Sequence, residues 1–281
     1  MTLVPTAELV ADAVARGGAV AALNVITLEH AEAICAAAGA RGVPVILQIS
    51  QNAVRYHGNQ LMPIVAATAA AGRLATVPVA LHLDHVTDEE LVRQAAAAGF
   101  SSLMYDAGAL PYEENVERSA RVARAAHAAG LWVEAELGYV GGKPGAPASA
   151  HAAGVRTDPD EAADYVRRTG VDALAVAVGS SHAMTTRTAN LDTELIARLR
   201  ARLDVPLVLH GSSGVPAGQL SAAARAGIRK INVGTALNVA MTDSLRLTLA
   251  GDRRLVDPRK YLTPARDAMS DTVGQLLDAL P

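Results

Sequence analysis

The sequence predicts an α/β chain folded as a single (β/α)8 barrel. Short runs rich in Val, Ile and Leu alternate with longer, Ala-rich amphipathic runs, eight times over. Glycine closes several of the longer runs just before the next short one, at Gly42, Gly99, Gly130, Gly170 and Gly227, where a helix C-cap is expected. The length, 281 residues, is ordinary for one such barrel.

The strands are expected around 19–25, 43–49, 77–83, 100–105, 131–136, 172–178, 205–209 and 228–233, with helices between them such as Glu89–Ala98 and Asn115–Ala129. A doubly wound open sheet usually has fewer strands and a Gly-rich fingerprint after the first, which is absent here. After the fifth strand comes a long segment around Gly141-Gly142-Lys143-Pro144-Gly145-Ala146-Pro147, rich in Gly, Pro and Ala. A loop of this length at that place reads as a lid over about 138–158. Helical segments continue beyond Gly251, with Pro258 and Pro264 as starts or breaks, so residues 1–281 are expected to form one domain.

Composition supports a large aliphatic core. Hydrophobic residues make up 51% of the chain but aromatics only 3%, so Ala, Val, Leu and Ile must fill it. The net charge is −3, and no basic face invites a nucleic acid. The one cysteine, Cys35, falls in a helical run and reads as a small buried hydrophobe; a chain with no internal disulfide suits a reducing cytosol. The start, Met1-Thr2-Leu3-Val4-Pro5, has no basic region or long apolar stretch, so no signal peptide is expected. No apolar run approaches the roughly 20 residues of a membrane span. A cytoplasmic enzyme is the expectation.

Barrel chemistry gathers where strands end. Here the ends carry Asn24; Gln48 and Ser50; His82, Asp84 and His85; Tyr105 and Asp106; Glu134 and Glu136; Gly179 to His182; His210 to Gly214; and Asn232 to Thr235. Three histidines on one face, His85, His182 and His210, are hard to assign to packing, and three imidazoles with an open position form a catalytic zinc pattern. His82 alternates with Asp84 and so faces the interior, yet competes with His85 as a ligand. Asp106 and Glu136 fit a second ion site or a hydrogen-bonded support equally well. His30, His57, His127 and His151 fall on helix or loop patterns and read as structural. The loops after strands seven and eight, Gly211-Ser212-Ser213-Gly214 and Gly234-Thr235, sit where this fold often holds phosphate, and glycine backbones with hydroxyls suit an anion.

Three motifs give these residues a family likeness: Pro78-Val79-Ala80-Leu81-His82-Leu83-Asp84-His85, Val133-Glu134-Ala135-Glu136-Leu137-Gly138 and Leu207-Val208-Leu209-His210-Gly211. Gly99 to Asp106 and Thr157-Asp158-Pro159 add support. The chain resembles the class II, metal-dependent fructose-bisphosphate and tagatose-bisphosphate aldolases from Ala22 to Val233. The resemblance implies one Zn2+ per chain on His85, His182 and His210, a monovalent cation nearby, and Asp84 moving the proton of the hydroxyl at the bond being cleaved. It places Asn24, Ser50 and Asn232 on the sugar, and Gly179, Gly211, Ser213 and Thr235 on the phosphate of dihydroxyacetone phosphate. The implied reaction is reversible cleavage of a ketose (bis)phosphate into dihydroxyacetone phosphate and an aldehyde through a zinc-stabilised enediolate. A homodimer or homotetramer is implied too.

Four places depart from the family pattern. Ala183 and Thr186 stand where Gly and Lys are usual, with Arg187 next door. Lys143-Pro144 replaces an acidic lid residue, and His151 is a candidate stand-in. Gly234 stands where an acidic residue is frequent, and Asn238 where a basic residue meets the distal phosphate. The departures imply a ketose 1-phosphate substituted differently from fructose 1,6-bisphosphate. Two other readings stay open: a non-catalytic or regulatory barrel that binds sugar phosphate, favoured by the altered lid, and a zinc hydrolase, which would want an early His-x-His pair where Leu23-Asn24-Val25 stands.

Overall fold

The computed structural model describes residues 2–138, 140 and 156–281. The expected lid, with Lys143, Pro144 and His151, thus lies almost wholly outside the described residues. In chain order the elements are α1 (Thr6–Arg16), β1 (Val20–Asn24), α2 (Leu28–Arg41), β2 (Val45–Ser50), α3 (Gln51–Tyr56), α4 (Leu61–Leu74), β3 (Val79–Val86), α5 (Glu89–Ala98), β4 (Ser102–Tyr105), α6 (Tyr112–Ala128) and β5 (Trp132–Leu137). There follow α7 (Pro159–Thr169), β6 (Ala173–Val176), α8 (Thr193–Arg202), β7 (Leu207–Leu209), α9 (Ala217–Ala226), β8 (Ile228–Val233), α10 (Thr235–Gly251) and α11 (Pro258–Asp278). The strands pair in parallel in sequence order, and β8 closes on β1. Every expected strand is present, each within a few residues of its expected bounds.

Period-two alternation sorts the strand residues into two cores. Ala21, Leu23, Val45, Leu47, Leu81, Leu83 and Leu103 point outward and pack with the helices in one aliphatic layer. Val20, Ala22, Ile46 and Ala80 point inward and meet Leu9, Val10 and Ala13 of α1, which plugs the amino end of the barrel. Following the inward positions up each strand, the side chains turn from apolar to polar: Val20, Ala22, Asn24; Ile46, Gln48, Ser50; Ala80, His82, Asp84. Polarity therefore concentrates at the carboxyl end. α11 lies beyond the ring, packed on α10 and α2, and Arg41 binds Asp278 through two hydrogen bonds of 2.7 and 2.9 Å. Among the described residues no helix is long and apolar enough to cross a membrane.

Both ends of the loop after β5 are pinned. Thr157 is buried; its hydroxyl donates to the Leu137 carbonyl at 2.6 Å and accepts from Ala177 N–H at 2.8 Å.

Candidate active site

A cleft of about 420 Å3 opens at the carboxyl end, lined by Asn24, Ser50, Asp84, His85, Asp106, His182, Gly211, Ser213, Asn232 and Thr235, among others. Of the expected site residues, Glu136, Gly179 and His210 are not on its wall. Gly179 has φ +126°, and a Cβ there would meet the Asn190 carbonyl oxygen at 2.2 Å, so it serves a close backbone crossing beside the cleft.

His85, His182, His210 and Glu136 offer one ligand atom each, all within 4.8 Å of one another. The ring centroids of His85 and His210 are 4.8 Å apart, those of His85 and His182 5.2 Å, and those of His182 and His210 5.8 Å. Strict alternation would turn His85 outward, because Asp84 points in. A register irregularity between Leu83 and Val86, with His85 at φ +48°, turns it into the mouth instead. The residues fit a divalent ion. Two ligands on one zinc stand at most about 4 Å apart, so the observed spread closes with small side-chain rotations. His182 Nε2 is buried without a hydrogen-bond partner, as an atom reserved for a ligand would be. Burial lowers the His182 pKa, which favours the neutral, metal-binding form.

The two carboxylates differ in place. Asp106 Oδ2 pairs with His85 Nδ1 at 2.9 Å, and its Oδ1 accepts from Gly108 N–H at 3.1 Å; it braces one histidine from outside the cluster. Glu136 is inside the cluster, with Oε2 at 2.7 Å from His210 Nδ1 and 4.0 Å from His182 Nε2. The other nitrogen of His210 meets Glu134 Oε1 at 2.8 Å. Burial would depress His210, but these two carboxylate bonds prevail and raise its pKa to about 9.

Asp84 is the base the site offers. Gln48 Nε2 donates to Asn24 Oδ1 at 2.9 Å, and Asn24 Nδ2 donates to Asp84 Oδ2 at 3.2 Å, which fixes the carboxylate. Its other oxygen, Oδ1, is buried and unpartnered. Burial pushes the Asp84 carboxyl up; the charges of His85, His82, Lys230 and His210 overcome this and hold it below the usual range. A side chain at 234 would reach Asn24 Oδ1 at 2.7 Å, so Gly234 leaves Asn24 its room.

Below the mouth lies a buried network built on Lys230, a residue that the strand ends do not point to. Lys230 Nζ donates to Glu134 Oε2 and to Asn232 Oδ1, both at 2.8 Å, with Lys230 and Glu134 wholly buried. Burial would raise Glu134, yet the Lys230 charge holds it far below the usual carboxylate range. His82 stands apart from the histidine cluster, its Nδ1 2.8 Å from Ser102 Oγ. Burial, then the Lys230 charge, push its pKa down to about 3. The signal was available: Lys230 and Asn232, like Glu134 and Glu136, are two apart on a strand and so share its inner face.

At the far wall, Gly211 has φ +65°, and a Cβ there would strike the Ser181 backbone at 2.6 Å, so glycine lets the β7 loop close on the β6 loop. Ser213 Oγ accepts from Ala236 N–H at 3.1 Å, tying that loop to the start of α10. Arg187 and Ser213 line a smaller adjoining pocket of about 230 Å3. Ala183, where the resembled family usually has glycine, sits at φ +58°, a left-handed conformation that costs a non-glycine residue roughly 1 kcal/mol. Asn238 is not on the cleft wall; its Oδ1 lies 3.3 Å from His30 Nε2 and links α10 to α2. His57 Nε2 lies 2.8 Å from the Ile26 carbonyl, and His127 Nε2 is 2.8 Å from Asp172 Oδ2. His151 is outside the described residues.

Residues 4–281 match the family model described as fructose-bisphosphate aldolase class-II. A fructose-bisphosphate aldolase of Geobacillus stearothermophilus is 40% identical over 274 residues, covering 97% of this chain and 95% of that protein. One from Staphylococcus epidermidis is 40% identical over 275 residues, with the same coverage of 97% and 95%. Among solved structures, the YdjI aldolase of Escherichia coli K12 superposes with a TM-score of 0.82 at 30% identity, over 99% of this chain and 96% of that one. Sequence and architecture agree across the whole barrel: the chain belongs to the class II fructose-bisphosphate aldolase family.

Proposed function

We propose that this chain is a metal-dependent aldolase that reversibly cleaves a ketose (bis)phosphate into dihydroxyacetone phosphate and an aldehyde. One observation carries the reading: Asp84, whose Oδ1 is buried and unpartnered, lines the same cleft as His85 and His182, and His210 and Glu136 cluster with those two histidines. His85, His182 and His210 would hold one Zn2+, with Glu136 beside it. Bound there, the ion is a Lewis acid that lowers the energy of negative charge on neighbouring substrate oxygens.

The chain's own residues do the rest. Asp84 Oδ1 accepts the proton of the hydroxyl next to the scissile carbon–carbon bond. The oxygen re-forms a carbonyl as that bond breaks, and the electron pair stays on the dihydroxyacetone phosphate half until carbon is protonated. Asn24 keeps Asp84 aimed, while Ser50 and Asn232 bind sugar hydroxyls. Gly211, Ser213 and Thr235 receive the phosphate, with Gly179 supporting the crossing behind them and a monovalent cation as a further neighbour of the anion. Asp106 is better explained as a brace for His85 than as part of a second ion site.

The chain is further proposed to form one domain over 1–281 closed by the 138–158 lid, and to act in the cytoplasm. A homodimer or homotetramer is proposed as well, supported by Leu247 and Leu249 left exposed on α10.

The test joins metal analysis to an aldol assay on one sample. Zinc bound to the wild type, with condensation of dihydroxyacetone phosphate and an aldehyde, supports the reading. His210→Ala should lose both the ion and the activity. A variant that stays metallated and active would remove His210 from the site, and zinc without any condensation would favour a sugar-phosphate-binding barrel or a hydrolase.

A further inference from the structure

The barrel interior holds a lysine–glutamate ion pair where layers of branched aliphatics are usual. Lys230 and Glu134 are both wholly buried, with Nζ 2.8 Å from Oε2. β5 and β8 are not neighbours in the closed ring, so the lysine stem crosses the interior to make this contact. Such a pair is a poor means of stabilising a fold, because both charges must leave water and a hydrophobic pair of similar volume serves as well. Its presence needs another reason, and the remaining bonds of its members supply one.

One bond leads to the histidine cluster. The second oxygen of Glu134, Oε1, lies 2.8 Å from His210 Nε2. Glu134 is outside the group of ligand atoms, whereas Glu136, 2.7 Å from the other nitrogen Nδ1, is inside it. A metal-binding imidazole is neutral and has one N–H. Here Nε2–H donates to Glu134, and Nδ1 stays free for the ion. The other bond leads to the substrate. An ammonium has three protons and no lone pair, so at 2.8 Å it meets Asn232 through the amide oxygen, Oδ1. That fixes the amide: Nδ2 is left buried without a partner, on a residue that lines the cleft. Asn232 stands two residues before Gly234, at the loop proposed to receive the phosphate, and so adjoins the dihydroxyacetone half.

We infer that Lys230 is a positioning residue that serves two parts of the site at once: through Glu134 it holds His210 with Nδ1 towards the ion, and directly it aims Asn232 Nδ2 at the substrate. The inference rests on the aldolase reading and deepens it. Lys230 is wholly buried and off the cleft wall, so it acts only through its two acceptors. One ammonium thereby sets the ring that holds the metal and the amide that meets the sugar in a single frame. The two branches leave Nζ through different bonds, so they can be cut separately.

The experiment compares wild-type holoenzyme with Lys230→Met and with the double variant Lys230→Met/Glu134→Gln. The double variant leaves no orphan charge, and its glutamine keeps an oxygen for His210 Nε2–H. Two dissociation constants are read, neither of which needs turnover. Zinc is measured by competition with a chelator on the loaded protein, and dihydroxyacetone phosphate by calorimetry on zinc-saturated protein. Lys230→Met should weaken zinc about 10- to 100-fold, as loss of support behind a ligand does. It should weaken dihydroxyacetone phosphate about 3- to 10-fold, the effect of one misplaced neutral hydrogen bond. In the double variant zinc affinity should return close to the wild-type value, while the loss on dihydroxyacetone phosphate persists, because nothing there holds Asn232 Oδ1. A general loosening of the barrel would move both constants together in both variants, so joint loss or joint recovery in the double variant would overturn the inference. Unchanged zinc affinity in a folded Lys230→Met would overturn it too. If that single variant does not fold, the double variant decides alone: dihydroxyacetone phosphate bound as tightly as in wild type would remove Lys230 from the site. Wild-type holoenzyme that binds no dihydroxyacetone phosphate would count against the aldolase reading rather than against Lys230.

Discussion

The two ends of the barrel obey opposite rules. At the amino end, polar atoms are few and mostly satisfied, with Arg229 Nε the exception among the described residues. Thr6 Oγ1 lies 2.9 Å from Ser101 Oγ and 2.5 Å from Ser102 Oγ, and Leu9, Val10 and Ala13 seal the space below with the inward aliphatics. At the carboxyl end, Gln48 Oε1, Asp84 Oδ1, Ser180 Oγ, His182 Nε2 and Asn232 Nδ2 are buried without a partner. Each such atom costs about 1–3 kcal/mol unless something binds it. His85 and Ala183 add left-handed backbone at the same end. One end minimises free energy in isolation, whereas the other leaves unmet valences for a ligand. The floor stabilises the fold and the mouth spends part of that stability on function.

The sharpest way to break this contrast is at Asp84. Asp84→Asn keeps the shape and the bond to Asn24 but removes the base. The rate of cleavage should fall about 10²- to 10⁴-fold. Metal content should stay at the wild-type level, because Asp84 is outside the group of ligand atoms. Equal loss of metal would make the residue a ligand and undo the division of labour drawn here.

His82 joins the two ends, since its Nδ1 rests on Ser102 Oγ, which Thr6 holds from below. Its pKa is about 3 in the folded protein, against an ordinary 6.5. Between these values the unfolded chain takes up a proton that the folded one refuses, so stability falls as the pH drops from 6.5 towards 3. By pH 4.5 the loss is roughly 2–3 kcal/mol. Thermal melts of wild type and His82→Gln across that range should show a shallower acid limb in the variant. Parallel limbs would assign the acid sensitivity elsewhere.

Sequence made the ring of strands and the polar strand ends legible because both follow from period-two patterning and glycine caps. Asp84 and His210 could be placed at the mouth from chain position alone. Other features could not. His85 reaches the cluster only through an irregularity between Leu83 and Val86, which alternation does not foresee. Glu136 joins the histidines while Asp106 stays outside, a difference that strand ends do not encode. Lys230 stands beside Arg229 near the start of β8, away from the strand end, and its pairing with Glu134 required the closed ring.

The smallest effect tests the quiet end. Thr6→Val keeps the volume of the side chain and deletes the hydroxyl that meets Ser101 and Ser102. The expected cost is about 1 kcal/mol, or roughly 2–4 °C in Tm for a chain of this size. Ser101 keeps the backbone N–H of Thr6 at 3.0 Å as a donor, which limits the damage. If the floor only stabilises, kcat and metal content should match wild type at temperatures well below the melt. A fall in kcat at full folding would mean that the chain of contacts Thr6–Ser102–His82 transmits strain to Asp84, two residues further along β3. The amino end would then belong to the catalytic apparatus, and the contrast between the ends would be one of degree.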